Sequence, residues 1–164
     1  CPGNDVTRAE MAVFLLRGEH GSGYAPPACT GPGIFTDVEC TPTAAFAVDF
    51  IQQLYNEGIT SGCGTAPLRY CPDDNVTRAQ MAVLLLRAEH GTGYTPPACT
   101  GIFADVECTP TPAFAVDFIE QLYSEGITSG CQLSPKLYCP NAPATRGEMA
   151  VFLKRTFGLL LYGP

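Results

Sequence analysis

The most reactive side chains in this sequence are its nine cysteines. Thiols at that density either pair as disulfides or hold a structural metal. Structural zinc takes its ligands in close pairs, typically about two to four residues apart. The cysteines here are spaced more widely, with no Cys-x-x-Cys pair. The two histidines, His20 and His90, stand in Glu-His-Gly at the end of helical patterns and have no cysteine beside them. A histidine there suits the negative end of a helix dipole. Disulfides in an oxidising compartment are therefore expected, with no metal site and no cofactor.

The cysteines fall at equivalent points of an internal repeat: Cys29/Cys99, Cys40/Cys108, Cys63/Cys131 and Cys71/Cys139. That recurrence suggests local closure, as Cys29–Cys40, Cys63–Cys71, Cys99–Cys108 and Cys131–Cys139. Eight cysteines allow about 105 pairings, so other connectivities stay open. Cys1 is the counterpart of Cys71 and Cys139, and its partner would lie upstream of the sequence. It is expected to be unpaired or intermolecular.

Other residue types suggest less chemistry, and no catalytic residues are expected. Asp73-Asp74-Asn75 could suggest calcium. The other copies read Gly3-Asn4-Asp5 and Asn141-Ala142-Pro143, a loss of carboxylates that fits turn chemistry better. Asn75-Val76-Thr77 has the form of a glycosylation acceptor. Thr41-Pro42-Thr43, Thr95-Pro96-Pro97 and Thr109-Pro110-Thr111-Pro112 could carry O-linked sugar and also make good loops.

The elements that position these residues come in copies. Ile34-Phe-Thr-Asp-Val-Glu-Cys40 matches Ile102-Phe-Ala-Asp-Val-Glu-Cys108, and Glu57-Gly-Ile-Thr-Ser-Gly-Cys63 matches Glu125-Gly-Ile-Thr-Ser-Gly-Cys131. Val76-Thr-Arg-Ala-Gln-Met-Ala82 recurs as Ala144-Thr-Arg-Gly-Glu-Met-Ala150 and, near the start, as Val6-Thr-Arg-Ala-Glu-Met-Ala12. The chain divides into half a repeat plus linker (1–33), a second repeat plus linker (34–101) and a third repeat with a tail (102–164). Each whole repeat reads as two helices joined by an irregular loop. The first runs from about Thr43 to Glu57, with Val48, Ile51, Leu54 and Tyr55 on one face. Gly58 stands where a left-handed cap belongs. The second starts at Thr77 with Gln80 three residues on, a capping box repeated by Thr7/Glu10 and Thr145/Glu148. Met81, Leu84, Leu85 and Ala88 form its stripe, and Gly91 ends it. The linker 21–33 recurs as 91–101 without Pro32-Gly33, which marks a surface loop. A lone helix pair buries too little apolar surface, so the fold is mainly α, with disulfide-clamped loops and a core shared between repeats.

Composition bounds the function. A net charge of −7 argues against nucleic-acid binding and against anionic membranes. No apolar run approaches the roughly 20 residues of a membrane span; the late stretch Gly158 to Tyr162 is far shorter. Because the chain opens in mid-repeat, upstream sequence is expected to have been removed or left out.

The order Phe-x-Asp-Val, amphipathic helix, Gly-Ile-Thr-x-Gly, aromatic-x-Pro, Thr-Arg-Ala-Glu-Met-Ala resembles the S-layer homology (SLH) repeat, in a Cys-rich form, from Cys1 to about Phe157. The resemblance implies three repeats packed with pseudo-threefold symmetry. It also implies an exported bacterial surface protein that binds cell-wall polysaccharide, often pyruvylated, non-covalently in grooves between repeats. By the same resemblance the motif arginine, here Arg8, Arg78 and Arg146, helps bind the anionic sugar, and Asp37 and Asp105 shape the groove. A guanidinium beside helix N-terminal amides suits that chemistry; a loop-capping role suits the aspartates. A structural subunit that assembles into a layer or filament is the other reading, motivated by the half repeat and Cys1.

Overall fold

The computed structural model describes residues 1–40, 46–108 and 114–160. The expected Thr-Pro clusters at 41–43 and 109–112 lie outside these. Five helices are arranged in two tiers: α1 (Arg8–His20), α3 (Arg78–His90) and α5 (Arg146–Thr156) pack against one another at the centre. Helix α2 (Val48–Asn56) lies against α1, and α4 (Val116–Ser124) against α3. Each central helix opens with a complete capping box, on Thr7, Thr77 and Thr145.

A ring of backbone hydrogen bonds locks the three repeats. Val6 N donates to Ala144 O, Ala144 N to Val76 O, and Val76 N to Val6 O, each at 2.9 Å. Val6, Val76 and Ala144 are fully buried, so this ring is the pseudo-threefold axis of the core. It joins residues far apart in sequence, and it holds the half repeat as an equal third partner.

The outer helices begin later than their periodicity suggests. Instead of starting near Thr43, α2 starts at Val48, preceded by Ala47 in the left-handed region at φ 73°; residues 43–45 lie outside the described part. Ala115 at φ 76° does the same before α4. Ala47, Val48, Ala115 and Val116 are all buried. The chain turns sharply there because the apolar start of each helix must drop into the core while Phe46 and Phe114 stay outside.

Helix α3 is more deeply buried than the single stripe of Met81, Leu84, Leu85 and Ala88 implies. Ala79, Ala82, Val83 and Leu86 are buried as well, because α1, α4 and α5 surround it. The two whole repeats each add a two-residue hairpin, β1 (Gly64–Thr65) with β2 (Leu68–Arg69) and β3 (Gln132–Leu133) with β4 (Lys136–Leu137). Behind them Phe35 packs on Tyr55 and Tyr70, and Phe103 on Tyr123 and Tyr138, with ring centroids 5.3 to 5.5 Å apart.

Disulfides join Cys29–Cys40, Cys63–Cys71, Cys99–Cys108 and Cys131–Cys139, and Cys1 is free and exposed. Cys29–Cys40 and Cys99–Cys108 close segments without helix or strand, and Cys63–Cys71 and Cys131–Cys139 close the two hairpins. Short loops of this kind contribute about 2–3 kcal/mol each in the chain-entropy description.

Candidate glycan-binding grooves

The motif arginines sit at the joints between repeats. Arg8 Nε donates to Tyr70 O at 2.7 Å while Tyr70 Oη donates back to Arg8 O at 2.7 Å. Arg78 and Tyr138 repeat the exchange at 2.8 Å in both directions. Each guanidinium also stacks on its tyrosine ring, at 4.8 and 4.9 Å from the centroid. Arg8 and Arg78 are therefore buried and structural in their inner half. Burial pushes both tyrosine hydroxyls well above the ordinary phenol range, so they remain donors at any physiological pH. Arg146 is more open and lies over Phe14 at 5.0 Å.

The expected anion site on free helix amides is not there. The first four amides of α1 are all engaged: Arg8 N by Asp74 O, Ala9 N by Pro72 O, Glu10 N by Thr7 Oγ1 and Met11 N by Thr7 O. The starts of α3 and α5 are satisfied in the same way, through Ala142, Pro140, Asn4 and Pro2. Neighbouring repeats take the first two donors of each central helix, and the helix's own capping threonine takes the next two.

Asp37 and Asp105 perform loop work. Asp37 accepts Tyr70 N and Cys71 N at 2.8 Å, and Asp105 accepts Tyr138 N and Cys139 N at 2.8 and 2.7 Å. These bonds hold Cys71 and Cys139 in the left-handed region at φ 57° and 58°. For Asp37, burial raises the carboxyl pKa, but the two backbone bonds and Arg69 outweigh it and the net shift is downward. Each aspartate also lines a cavity beside an exposed phenylalanine. The Asp37 cavity, about 560 Å³, is walled by Glu10, Glu39, Asp73 and Phe46; the Asp105 cavity, about 520 Å³, by Glu107, Gln80, Asn141 and Phe114. Phe46 and Phe114 are each 69% exposed.

Two smaller cavities flank the arginines. Arg8 opens on a space of about 120 Å³ with Thr60, Ser61, Gln80, Arg87 and Phe114. Arg78 opens on about 260 Å³ with Thr128, Ser129, Glu148, Arg155 and Phe152. The Gly-Ile-Thr-Ser-Gly segments thus form walls, and Arg87 and Arg155 join the motif arginines. The sequence signal for these additional residues was their recurrence at fixed repeat positions. Gly62 and Gly130 are required there, since a Cβ would strike the carbonyl of Arg69 or Leu137 and the ring of Phe35 or Phe103.

The three joints differ in charge. Arg78 pairs with Glu148 and Arg146 with Glu10, each across a repeat boundary. Arg8 faces Gln80 at the corresponding place, and among the described residues it forms no ion pair. Among the described residues, Nη2 of both Arg8 and Arg78 is buried without a hydrogen-bond partner, so what sets Arg8 apart is the missing carboxylate. Gln80 and Phe114 border both the Arg8 space and the 520 Å³ groove, which makes these one continuous surface.

Cyclic helical repeats with polar and aromatic grooves at their joints define a non-catalytic binding module. Residues 35–82 and 109–150, more than half of the chain, match the S-layer homology domain, and the chain belongs to that family. It is a cell-surface protein that uses its SLH repeats for attachment to cell-wall polymer. No curated relative matches it. No described helix is long and apolar enough to cross a membrane.

Proposed function

We propose that the wall polymer is held at the joint between the first and second repeats, where Arg8 and Arg87 take an acidic substituent and Phe114 packs on a sugar face. One observation carries this reading: the buried Arg8 guanidinium borders a cavity lined by a second arginine and by no carboxylate. Such a charge is strongly stabilised by an incoming carboxylate or phosphate. The aromatic ring supplies an apolar surface that fits the C–H face of a pyranose, and Ser61 and Gln80 offer hydroxyl partners. Arg78 and Arg146, already paired, serve the same polymer less directly, and Asp37 and Asp105 shape the groove walls by fixing the loops. The test is sedimentation with purified acidic wall polysaccharide. The Arg87→Gln/Phe114→Ala variant should bind at least tenfold more weakly, with Arg155→Gln near wild type. Unchanged binding by the double variant would sink this reading.

A second reading, self-assembly, is favoured by the outer face of α5. Val13 and Val83 are 4% and 3% exposed beneath α2 and α4, whereas the equivalent Val151 is 43% exposed. Residues 1–33, 34–101 and 102–164 then act as one cyclic unit with an open flank beside the third repeat, closed by a second copy. Sizing across a concentration series, with and without reductant, decides it. A monomer under every condition removes this reading.

A further inference from the structure

The ends of α1 and α3 carry a side-chain cluster that the glycan reading does not use. Glu19 and His20 close α1, with Glu57 beside them at the end of α2. Glu89, His90 and Glu125 repeat the arrangement at α3 and α4. His20 Nε2 is 3.1 Å from Glu57 Oε1 and 4.0 Å from Glu19 Oε2. The second copy has 3.0 Å to Glu125 Oε1 and 3.7 Å to Glu89 Oε2. All donor atoms of a trio lie within 4.8 Å of one another.

Hydrogen bonding within the trio leaves it unsatisfied. One imidazole N–H serves one carboxylate oxygen, and Gln53 Nε2 and Gln121 Nε2 donate to the same Oε1 atoms, at 2.7 and 2.6 Å. Among the described residues Glu19 Oε2 and Glu57 Oε2 remain buried with no hydrogen-bond partner, and in the second copy the Glu89 and Glu125 carboxyl groups lie close enough to share a proton, which a cation would replace. Glu19 Oε2 is the atom that faces the imidazole. A cation among the three side chains of a trio would be met by one ligand atom from each of them.

We propose that each trio is a binding site for a divalent transition-metal cation of the zinc type. Ligand bonds of about 2.0–2.2 Å in a tetrahedron place neighbouring donors roughly 3.3–3.6 Å apart. The imidazole–carboxylate separations of 3.0 to 4.0 Å bracket that edge, and the two carboxylates of a trio, within 4.8 Å of each other, must close in to complete it. Imidazole nitrogen with two carboxylates suits zinc, whereas calcium takes about six to eight oxygens. The glutamines act as outer-shell donors that orient Glu57 and Glu125, and Tyr24 and Tyr94 cover the imidazoles at 4.4 and 4.3 Å. Phe157 and Gly158 stand at the matching positions just beyond α5, so the described residues hold two such trios. The metal would tie the end of α1 to α2 and the end of α3 to α4. Helix-end dipole compensation, the role expected of these histidines from sequence, would then be secondary.

Zinc chloride titrated calorimetrically into EDTA-stripped, dialysed protein, with Cys1 blocked by iodoacetamide, is the test. Two equivalents should bind; His20→Gln and His90→Gln should each remove one, and the double variant both, with the far-UV spectrum unchanged. Independently of any variant, zinc and not calcium should shift the imidazole proton resonances of the wild-type chain. No uptake at about 0.1 mM zinc, two equivalents retained by the double variant, or unmoved ring signals would overturn the proposal.

Discussion

Arg146 and Glu10, 136 residues apart in sequence, meet at 2.7 Å between Nη1 and Oε1. The pair joins the last repeat to the first, and Arg78 with Glu148 joins the second to the third. The remaining joint has Arg8 against Gln80. Introducing Gln80→Glu supplies the missing carboxylate while keeping the capping box. It should raise stability by about 1–2 kcal/mol in urea unfolding and lower acidic-polymer affinity at least tenfold. Unchanged stability and affinity would show that Arg8 gains nothing from a partner.

Removing the carboxylate that pins the Cys71 loop should be costly. Asp37→Asn turns an acceptor of two backbone amides into a group with one acceptor oxygen, and a loss of about 1.5–3 kcal/mol is expected. Asp105→Asn should behave alike. Urea midpoints measure both, and equal midpoints for variant and wild type would refute the loop role.

Glu120 predicts an acid limb of stability. Its oxygens accept Thr100 N, Gly101 N and Ile102 N at 2.5 to 2.8 Å, so although burial raises its pKa, these bonds and the Thr100 hydroxyl lower it overall. A depressed folded pKa means stability that is present above the unfolded value and lost as pH falls through the folded one. Melting temperature should therefore decline below about pH 4.5, and Glu120→Gln should flatten that decline while lowering stability at neutral pH. Among the described residues the equivalent Gln52 accepts only Ile34 N, at 3.2 Å, and its Nε2 is buried without a partner. Gln52→Glu is accordingly expected to stabilise the second repeat and steepen the acid limb.

Gly130→Ala combines a left-handed backbone at φ 89° with a Cβ aimed at the Leu137 carbonyl and the Phe103 ring. A loss of more than about 2 kcal/mol is expected. The exposed Gly101, at φ 86° with open space around it, should lose only about 1 kcal/mol. Thermal melts of the two alanine variants separate conformational strain from collision.

Much of this architecture was legible locally. Thr7/Glu10, Thr77/Gln80 and Thr145/Glu148 announce three helix starts, because a capping box is complete within four residues of chain. The helical core was legible from periodicity, and so was the repeat itself. The start of α2 was not, since its left-handed Ala47 answers to burial of Ala47 and Val48 against the core and carries no local turn residue. Arg8, Arg78 and Arg146 were legible as candidates, yet their different partners were not, because Gln80 matters only for the residue it faces across the joint.

The sequence by itself determined the recurrence of the motifs, the central helices and the class of surface module, all of which rest on contacts between near neighbours or on recurrence. Tertiary structure decided the cyclic order, in which Val6, Val76 and Ala144 exchange backbone bonds, and with it the partners of the first two amides of each central helix. It also decided which arginine keeps an uncompensated charge and which face of α5 stays open. Those outcomes depend on atoms 60 or more residues apart, such as Arg78 and Tyr138, and no local rule of spacing encodes which of several equivalent copies will meet.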